Sequence, residues 1–488
     1  MCGDDKTPRP SETKDCKTPV DKVKKTCDGK DDQVKLVRLR EVYKHQGAWK
    51  ERDVDSRRQY INLDDQVDTA KEHPEYGRAV RLKAQVQWVS GDKTRSLAGK
   101  TVYWYSQGDK ANNAKLTKTQ QESFDSAGAE KKKTTATTDK DGWTQPQPFY
   151  LSLYGGDKFE VYATLDSGYK GGIKAGPYRV WRKFWFQVSE MTDRAGTGKL
   201  AFPAQAGNTI TNSYKQAKIE FLEKGPRGSV PHHDNLQVNG VPAGATGMRE
   251  LGQKHFVNDD LVPFKCHLMT CDYAGFSTEN QAIADTLTKT SWTSPSWYKL
   301  WPHGGSLAWK VEAQYKDGKT WKDIPAAKLS SQDHGSQPGF KKVKIDFSGG
   351  PVTPSAKSPV QVTLKVKCTK GGYLGWGGGT AQIVLCSGYV NDFIEAAKRA
   401  PSQERTSVHE IGHALGLVNM APTPAKAHDG WEDTTHSNHC NKKATECAMY
   451  WQNVENRVTT FHSIGGEGCN EHLRTQDNSR SVMKPLWK

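Results

Sequence analysis

The sequence predicts a multidomain fold: a β-rich first half followed by a mixed α+β second half. Three observations carry this. Apolar residues alternate with polar ones over short runs between about 76 and 170, the signature of half-buried strands. Near the C-terminus, Val408, Ile411, Leu415 and Val418 instead recur at three- and four-residue spacing, the buried stripe of a helix over about 402–418. The length, 488 residues, is enough for two or three domains with sizeable cores. The divisions expected are 1–75, 76–170 and 171–488.

Residues 1–75 are polar and weakly periodic apart from Val34–Val37, and read as an N-terminal tail or adaptor segment. From Arg78, the residues Val80, Leu82, Ala84, Val86 and Trp88 alternate, a Ser90-Gly91-Asp92-Lys93 turn follows, and Val102 and Trp104 start a second strand with Tyr103 and Tyr105 outward. Ser106–Lys140, with Lys131-Lys132-Lys133 and repeated threonines, reads as a long loop. The Asp139-Lys140-Asp141-Gly142-Trp143 turn then leads to strands at Pro148–Leu153 and Asp157–Ala163. This turn, the later Gly-Gly-Asp-Lys-Phe and the strands around them resemble bacterial immunoglobulin-like domains. That implies an Ig-like β-sandwich over 76–170 whose role is spacing or binding. Val180–Gln187 reads as a buried aromatic strand, and Phe340–Phe347, Val360–Cys368 and Ile383–Cys386 as strands that feed a helix at Asn391–Arg399 and the helix after it.

That last helix carries His409-Glu410-Ile411-Gly412-His413, with Gly416 beyond it and Ser402 as its expected N-cap. Residues four apart share a helix face, so His409 and His413 can direct both imidazoles at one metal ion. Glu410, one step round, is placed to act as the base toward a water that a Zn²⁺ ion activates. Gly416 permits a close approach or a sharp exit from the helix. An ordinary amphipathic helix with two surface histidines is the bland alternative. The further histidines and cysteines downstream argue against it, because seven of the fifteen histidines fall at or after 409. A metzincin motif would continue to a third histidine where Asn419 stands, and asparagine is a poor zinc ligand. The third donor is therefore sought among His428, Asp429, His436 and His439.

His439-Cys440 followed by Cys447-Ala448-Met449 resembles the archaemetzincin-like branch of the metzincins. The resemblance implies a metzincin-like α+β zinc peptidase domain over 171–488, with His439 as third ligand and Met449 as the methionine of the turn beneath the metal. The chain departs from that pattern by a twenty-residue insertion, Asn419–Asn438, which leaves His428 and His436 in competition. Cys440, Cys447 and Cys469, with His462 or His472, offer the four donors of a second, structural zinc, as the resemblance also implies. A Cys440–Cys447 disulfide is the competing reading. Cys266/Cys271 and Cys368/Cys386 read as disulfide pairs or buried thiols.

Mean hydropathy is −0.79 and 26% of residues are charged, which describes a polar chain. No apolar run approaches the roughly eighteen residues of a membrane span. The start, Met1-Cys2-Gly3-Asp4-Asp5-Lys6, lacks the apolar stretch of a secretory signal. The net charge of +15 is spread along β-like segments, a solvated surface rather than a nucleic-acid interface. The Ig-like segment, Val180–Gln187 and the C-terminal constellation together resemble bacterial effector peptidases of type VI secretion, which occur as extensions of the spike protein or as separate cargo. This implies a zinc endopeptidase toxin acting on a protein or peptide substrate, antibacterial or directed at a host cell. It would leave the cell without a signal peptide, act in the target-cell periplasm, and have a spike protein and a cognate immunity protein as partners. A zinc peptidase with a processing role, and a binding or adaptor protein with an inert zinc helix, are the alternatives. Glu410 argues against the inert helix, which has no need of a base.

Overall fold

The computed structural model describes residues 33–108, 133–237, 247–257, 259, 261–300, 309–337, 339–377, 381–417, 439–440, 446–450, 458–461 and 469–475. Strands account for 48% and helices for 14%, so the chain is β-rich, with several sheets.

The first module begins well before residue 76. β1 (Gln33–His45) pairs antiparallel with β2 (Ala48–Asp53) through a two-residue turn, Gln46-Gly47, in which both residues have positive φ. β1 also pairs with β4 (Ala79–Ser90), and β3 (Arg57–Tyr60) lies between them in sequence. The expectation of a polar tail over 1–75 is corrected here for residues 33–60. The register of β1 on β4 shifts between Leu36 and Arg38, which breaks the alternation that would have marked the strand. Residues 1–32 lie outside the described residues. Arg57 grips the buried Glu41 with both guanidinium nitrogens and so ties β3 to β1.

β5 (Lys93–Ser96) and β8 (Gln147–Tyr150) complete the first sheet on β4. β6 (Thr101–Gly108), β7 (Lys133–Thr137) and β9 (Lys158–Thr164) form the second. β7 corrects the expected long loop at its C-terminal end, and residues 109–132 of that loop are outside the described residues. Val80, Leu82, Ala84 and Val86 from one sheet meet Val102, Trp104 and Val161 from the other, all buried, and the module is a β-sandwich.

β10 (Ile173–Met191) serves two modules. Its first part pairs antiparallel with β9, and Ala175, Tyr178 and Val180 enter the sandwich core. Its second part pairs in parallel with β11 (Ile219–Glu223) and β12 (Gly228–Val230) on one side and with β13 (Phe264–Cys271) on the other. The expected division at 170/171 thus falls at the start of a strand whose change of partner comes near Trp181. Helix α1 (Ala206–Lys215) precedes β11, and α2 (Met248–His255) precedes β13. Every residue of β13 is buried, because helices cover both faces.

A second sandwich is inserted after β13. β14 (Phe276–Leu287), β17 (Lys310–Asp317), β18 (Thr320–Asp323) and β21 (Val360–Gly371) form one sheet; β15 (Ser291–Thr293), β16 (Tyr298–Lys299), β19 (Leu329–Asp333) and β20 (Phe340–Asp346) form the other. Val362, Leu364 and Val366 pack against Val343, Ile345 and Phe347. The strands at 340–347 and 360–368 therefore belong to a separate core, and this corrects their assignment to the sheet beside the helix that carries His409 and His413.

The chain then returns to that sheet. β22 (Gly375–Trp376) lies antiparallel on β23 (Gln382–Cys386), and β23 lies parallel on β13, giving the order β22-β23-β13-β10. Helix α3 (Ser387–Phe393) ends at Ile394, and α4 (Ala396–Ala414) follows, so the expected helix over 391–399 is two helices with a break. Phe184, Phe186, Cys266, Leu268, Ile383 and Leu385 bury one sheet face under α1 and α4; Met269, Cys271, Val384 and Cys386 bury the other under α2. Helix α5 (Cys469–Thr475) closes the described chain.

Candidate metal centre

α4 carries the site. Its start corrects the expected cap: Glu395 is the N-cap, and Ser402 lies inside the helix with its carbonyl accepting the Thr406 hydroxyl at 2.7 Å. Its end falls short of the expected 418, with the sharp exit expected at Gly416. Gly416 has φ +78°, Gly416 N–H donates to the His413 carbonyl, and Leu417 N–H donates to the Gly412 carbonyl, both at 2.9 Å. This is the Schellman arrangement that a left-handed glycine allows, and it ends the helix at Ala414. Val408, Ile411 and Leu415 are buried as the stripe predicts; Val418 is outside the described residues.

His409 and His413 stand one turn apart with their Nε2 atoms 3.2 Å from each other. His439, thirty residues on, brings its Nε2 to 3.2 Å from that of His409. The three rings form one group whose nitrogens could hold a metal ion. His409 Nδ1 donates to the Ala448 carbonyl at 2.7 Å, which leaves its Nε2 lone pair facing the other two rings. Burial, then the neighbouring His413, holds the His409 imidazole far below its ordinary range; burial, then His439, lowers His413 to about 3. Both rings are therefore neutral, the form that binds a metal. His428, Asp429 and His436, the competing donors, lie outside the described residues.

His439 is placed by a short strap. Cys440 N–H donates to the Met449 carbonyl at 2.9 Å, and Ala448 N–H donates to the Thr460 carbonyl at 2.7 Å, which holds 439–440 against the turn 447–450. Met449 is fully buried under α4. A Cβ at Gly412 would sit 2.5 Å from Met449 Sδ, so the glycine between the two histidines is what lets the methionine pack there.

Glu410 is buried, and burial pushes its carboxyl up to about 8 against the opposing pull of Arg405 and of the Gly377 N–H, which donates to it. Gly375 and Gly377 face α4 at van der Waals limits. A Cβ on Gly377 would lie 2.8 Å from both the Glu410 carbonyl oxygen and its Oε2; one on Gly375 would lie 2.3 Å from Thr406 Cγ2. These glycines and the buried Arg405 belong to the site, although no motif in the sequence marks them. The signal for the glycines was present in the run Gly375-Trp376-Gly377, too small-sided for an ordinary strand.

Beneath the strap, Cys440, Cys447 and Cys469 form a second group able to hold a metal, with Sγ separations of 3.9 Å (440–447) and 3.5 Å (440–469). Met449 N–H points at Cys447 Sγ at 3.4 Å. The Cys440–Cys447 disulfide is not formed, and all seven described cysteines are buried thiols. Cys266 and Cys368 are thus buried thiols, and Cys271 faces Cys386 at 3.6 Å across β13 and β23, a pairing different from those expected. His462 and the side chain of His472 lie outside the described residues. Compared with models of known protein families and with curated proteins, the chain finds no match in either.

Proposed function

We propose that the chain is a zinc-dependent endopeptidase with His409, His413 and His439 as ligands and Glu410 as general base. One observation carries the reading: the Nε2 atoms of His413 and His439 each lie 3.2 Å from that of His409, and the three ligand atoms lie within 4.8 Å of one another beside a buried carboxyl. Nitrogens bound to one tetrahedral zinc at about 2.0–2.1 Å stand roughly 3.3 Å apart, so the donor set fits that ion with little movement. When bound there, zinc supplies a Lewis acid that brings the pKa of water toward about 7 and polarises a carbonyl. With its carboxyl ionised in the field of a bound cation, Glu410 would take the proton of the attacking water and return it to the leaving amine. The Gly377 N–H orients that carboxylate, and the Ala448 carbonyl fixes the tautomer of His409. β22 pairs only with β23 among the described residues, and an extended peptide can add to its outer edge by backbone hydrogen bonds, with its scissile bond over α4.

The cysteine group fits a structural zinc equally well, because sulfurs bound tetrahedrally at about 2.3 Å stand roughly 3.8 Å apart. The metzincin-like assignment of the α+β half and the biology of a delivered toxin rest on the resemblance in His439-Cys440 and Cys447-Ala448-Met449. The experiment for the chemistry is Glu410→Gln. Zinc content should stay at the parental level while hydrolysis of an unfolded protein substrate falls by about 10²–10⁴-fold. Unchanged hydrolysis would remove Glu410 from the mechanism. For the biology, the same variant directed to the periplasm of a sensitive bacterium should no longer kill, and undiminished killing would overturn the toxin reading.

A further inference from the structure

Arg405 lies one helical turn before His409 on α4 and is 4% exposed. Its Nη2 donates to the Tyr450 carbonyl at 2.9 Å and lies 3.5 Å from the Ala448 carbonyl, so one guanidinium reaches both flanks of Met449. The Ala448 carbonyl is also the acceptor for His409 Nδ1, at 2.7 Å. Arg405 Nε makes no hydrogen bond among the described residues, and both Nη2 contacts are to main-chain oxygens. Burying a guanidinium is unfavourable unless an anion or a set of acceptors compensates. Glu410 and Cys447 are the acidic groups whose ionised forms favour its charge.

We propose that Arg405 is a positioning residue of the metal centre: its guanidinium clamps the turn around Met449 to the metal helix and thereby sets the ring of His409. Both contacts come from Nη2, which stands one bond farther from the main chain than a lysine Nζ, so a lysine ammonium reproduces the clamp only in part. The same cation links the two donor groups, since Cys447 and Ala448 are adjacent in the turn it holds. Displacing the turn moves the acceptor of His409 and rotates that imidazole away from His413 and His439. The effect on metal affinity is that of losing the hydrogen-bonded partner of a ligand, about 10–100-fold.

The inference rests on His409, His413 and His439 being a metal site, and the test separates the two. Full-length parent, Arg405→Met, Arg405→Lys and His413→Ala are titrated with Co²⁺ against a competing chelator. The ligand-field absorption of a nitrogen site is followed apart from the thiolate-to-metal band of the cysteines, and thermal unfolding of the metal-free proteins is recorded alongside. The expected result is a 10–100-fold weaker nitrogen site in Arg405→Met, a smaller loss in Arg405→Lys, and no nitrogen site in His413→Ala. A folded Arg405→Met that melts lower but binds Co²⁺ as the parent does would show a role in stability alone and overturn the proposal. Should Arg405→Met not fold, Arg405→Lys decides: weaker binding supports the clamp, and parental binding overturns it. A parent that binds no more Co²⁺ than His413→Ala would overturn the site reading, and this inference with it.

Discussion

Gly412→Ala is the sharpest structural test of the turn beneath α4. In an exposed helix, glycine to alanine stabilises by about 1 kcal/mol. Here the added Cβ would lie 2.5 Å from Met449 Sδ and 3.3 Å from both Met449 Cε and Leu417 Cδ1. Ordinary contacts lie at about 3.5–4.0 Å, so the sulfur must retreat by roughly 1 Å inside a core in which Met449 has no exposed surface. Overpacking of this kind costs about 1–3 kcal/mol. Set against the helix gain, the net destabilisation is on the order of 1 kcal/mol, or a fall of about 2–4 °C in Tm. The assay is urea unfolding of the parent, Gly412→Ala, Met449→Ala and the double variant in excess zinc. Met449→Ala alone should cost about 2–5 kcal/mol. In the double variant the new methyl group has room, so the two effects should fall short of additivity by about 1–3 kcal/mol. A Gly412→Ala variant more stable than the parent, or strictly additive effects, would refute the packing argument and with it the place of Met449 under the helix.

Three further outcomes follow from the same geometry. Gly377→Ala pushes against the Glu410 main chain, which cannot yield as a side chain can; it should lower kcat by at least about tenfold with zinc content unchanged, and a parental kcat would contradict it. Cys447→Ser should lower bound zinc from two ions per chain to one while His413→Ala removes the other, as measured by elemental analysis; two ions retained in Cys447→Ser would exclude the cysteine group as a metal site. Stability of the metal-free protein should peak near pH 6.5. Between about pH 4.5 and 6.5, His267, His409 and His413 bind protons only when unfolded, because burial lowers them from 6.5, and Glu410 holds its proton only when folded, because burial raises it from 4.5 to about 8. The net excess of two protons in the unfolded chain makes stability rise with pH by about 2.7 kcal/mol per unit up to 6.5; above it Glu410 acts in the opposite sense, and stability falls until Lys265 and Lys299, which burial lowers to about 8, begin to shed their protons in the folded chain. Denaturant titrations across pH 5–8 that rise throughout would contradict these environments.

The parts of the site that are local in sequence were legible there. Helical spacing brings His409 and His413 onto one face, and strict alternation reveals β4 because the extra residue at its register shift with β1, Val37, lies on β1 and leaves β4 continuous. Non-local features were hidden. The alternation in 340–347 and 360–368 announces strands but not which sheet they join, so the inserted sandwich passed for part of the second half. β1 was masked by its own bulge at Leu36/Arg38. Arg405 reads in sequence as a solvated helix residue; its burial arises only because the turn 447–450, more than forty residues away, folds over it. Gly375 and Gly377 likewise acquire meaning only from the approach of α4. His439 came from a family resemblance and not from spacing, and the strap through Cys440 and Met449 supplies the physical reason for its proximity to His409.

The central claim is a zinc ion held by His409, His413 and His439, and the most direct measurement is anomalous scattering at the zinc edge from crystals of the full chain. The account predicts a peak at about 2.0–2.1 Å from the Nε2 atoms of all three histidines, with Glu410 beside it but not bound. A peak ligated by His428, Asp429 or His436 with His439 remote, or no peak at α4 in crystals grown with zinc, would contradict it.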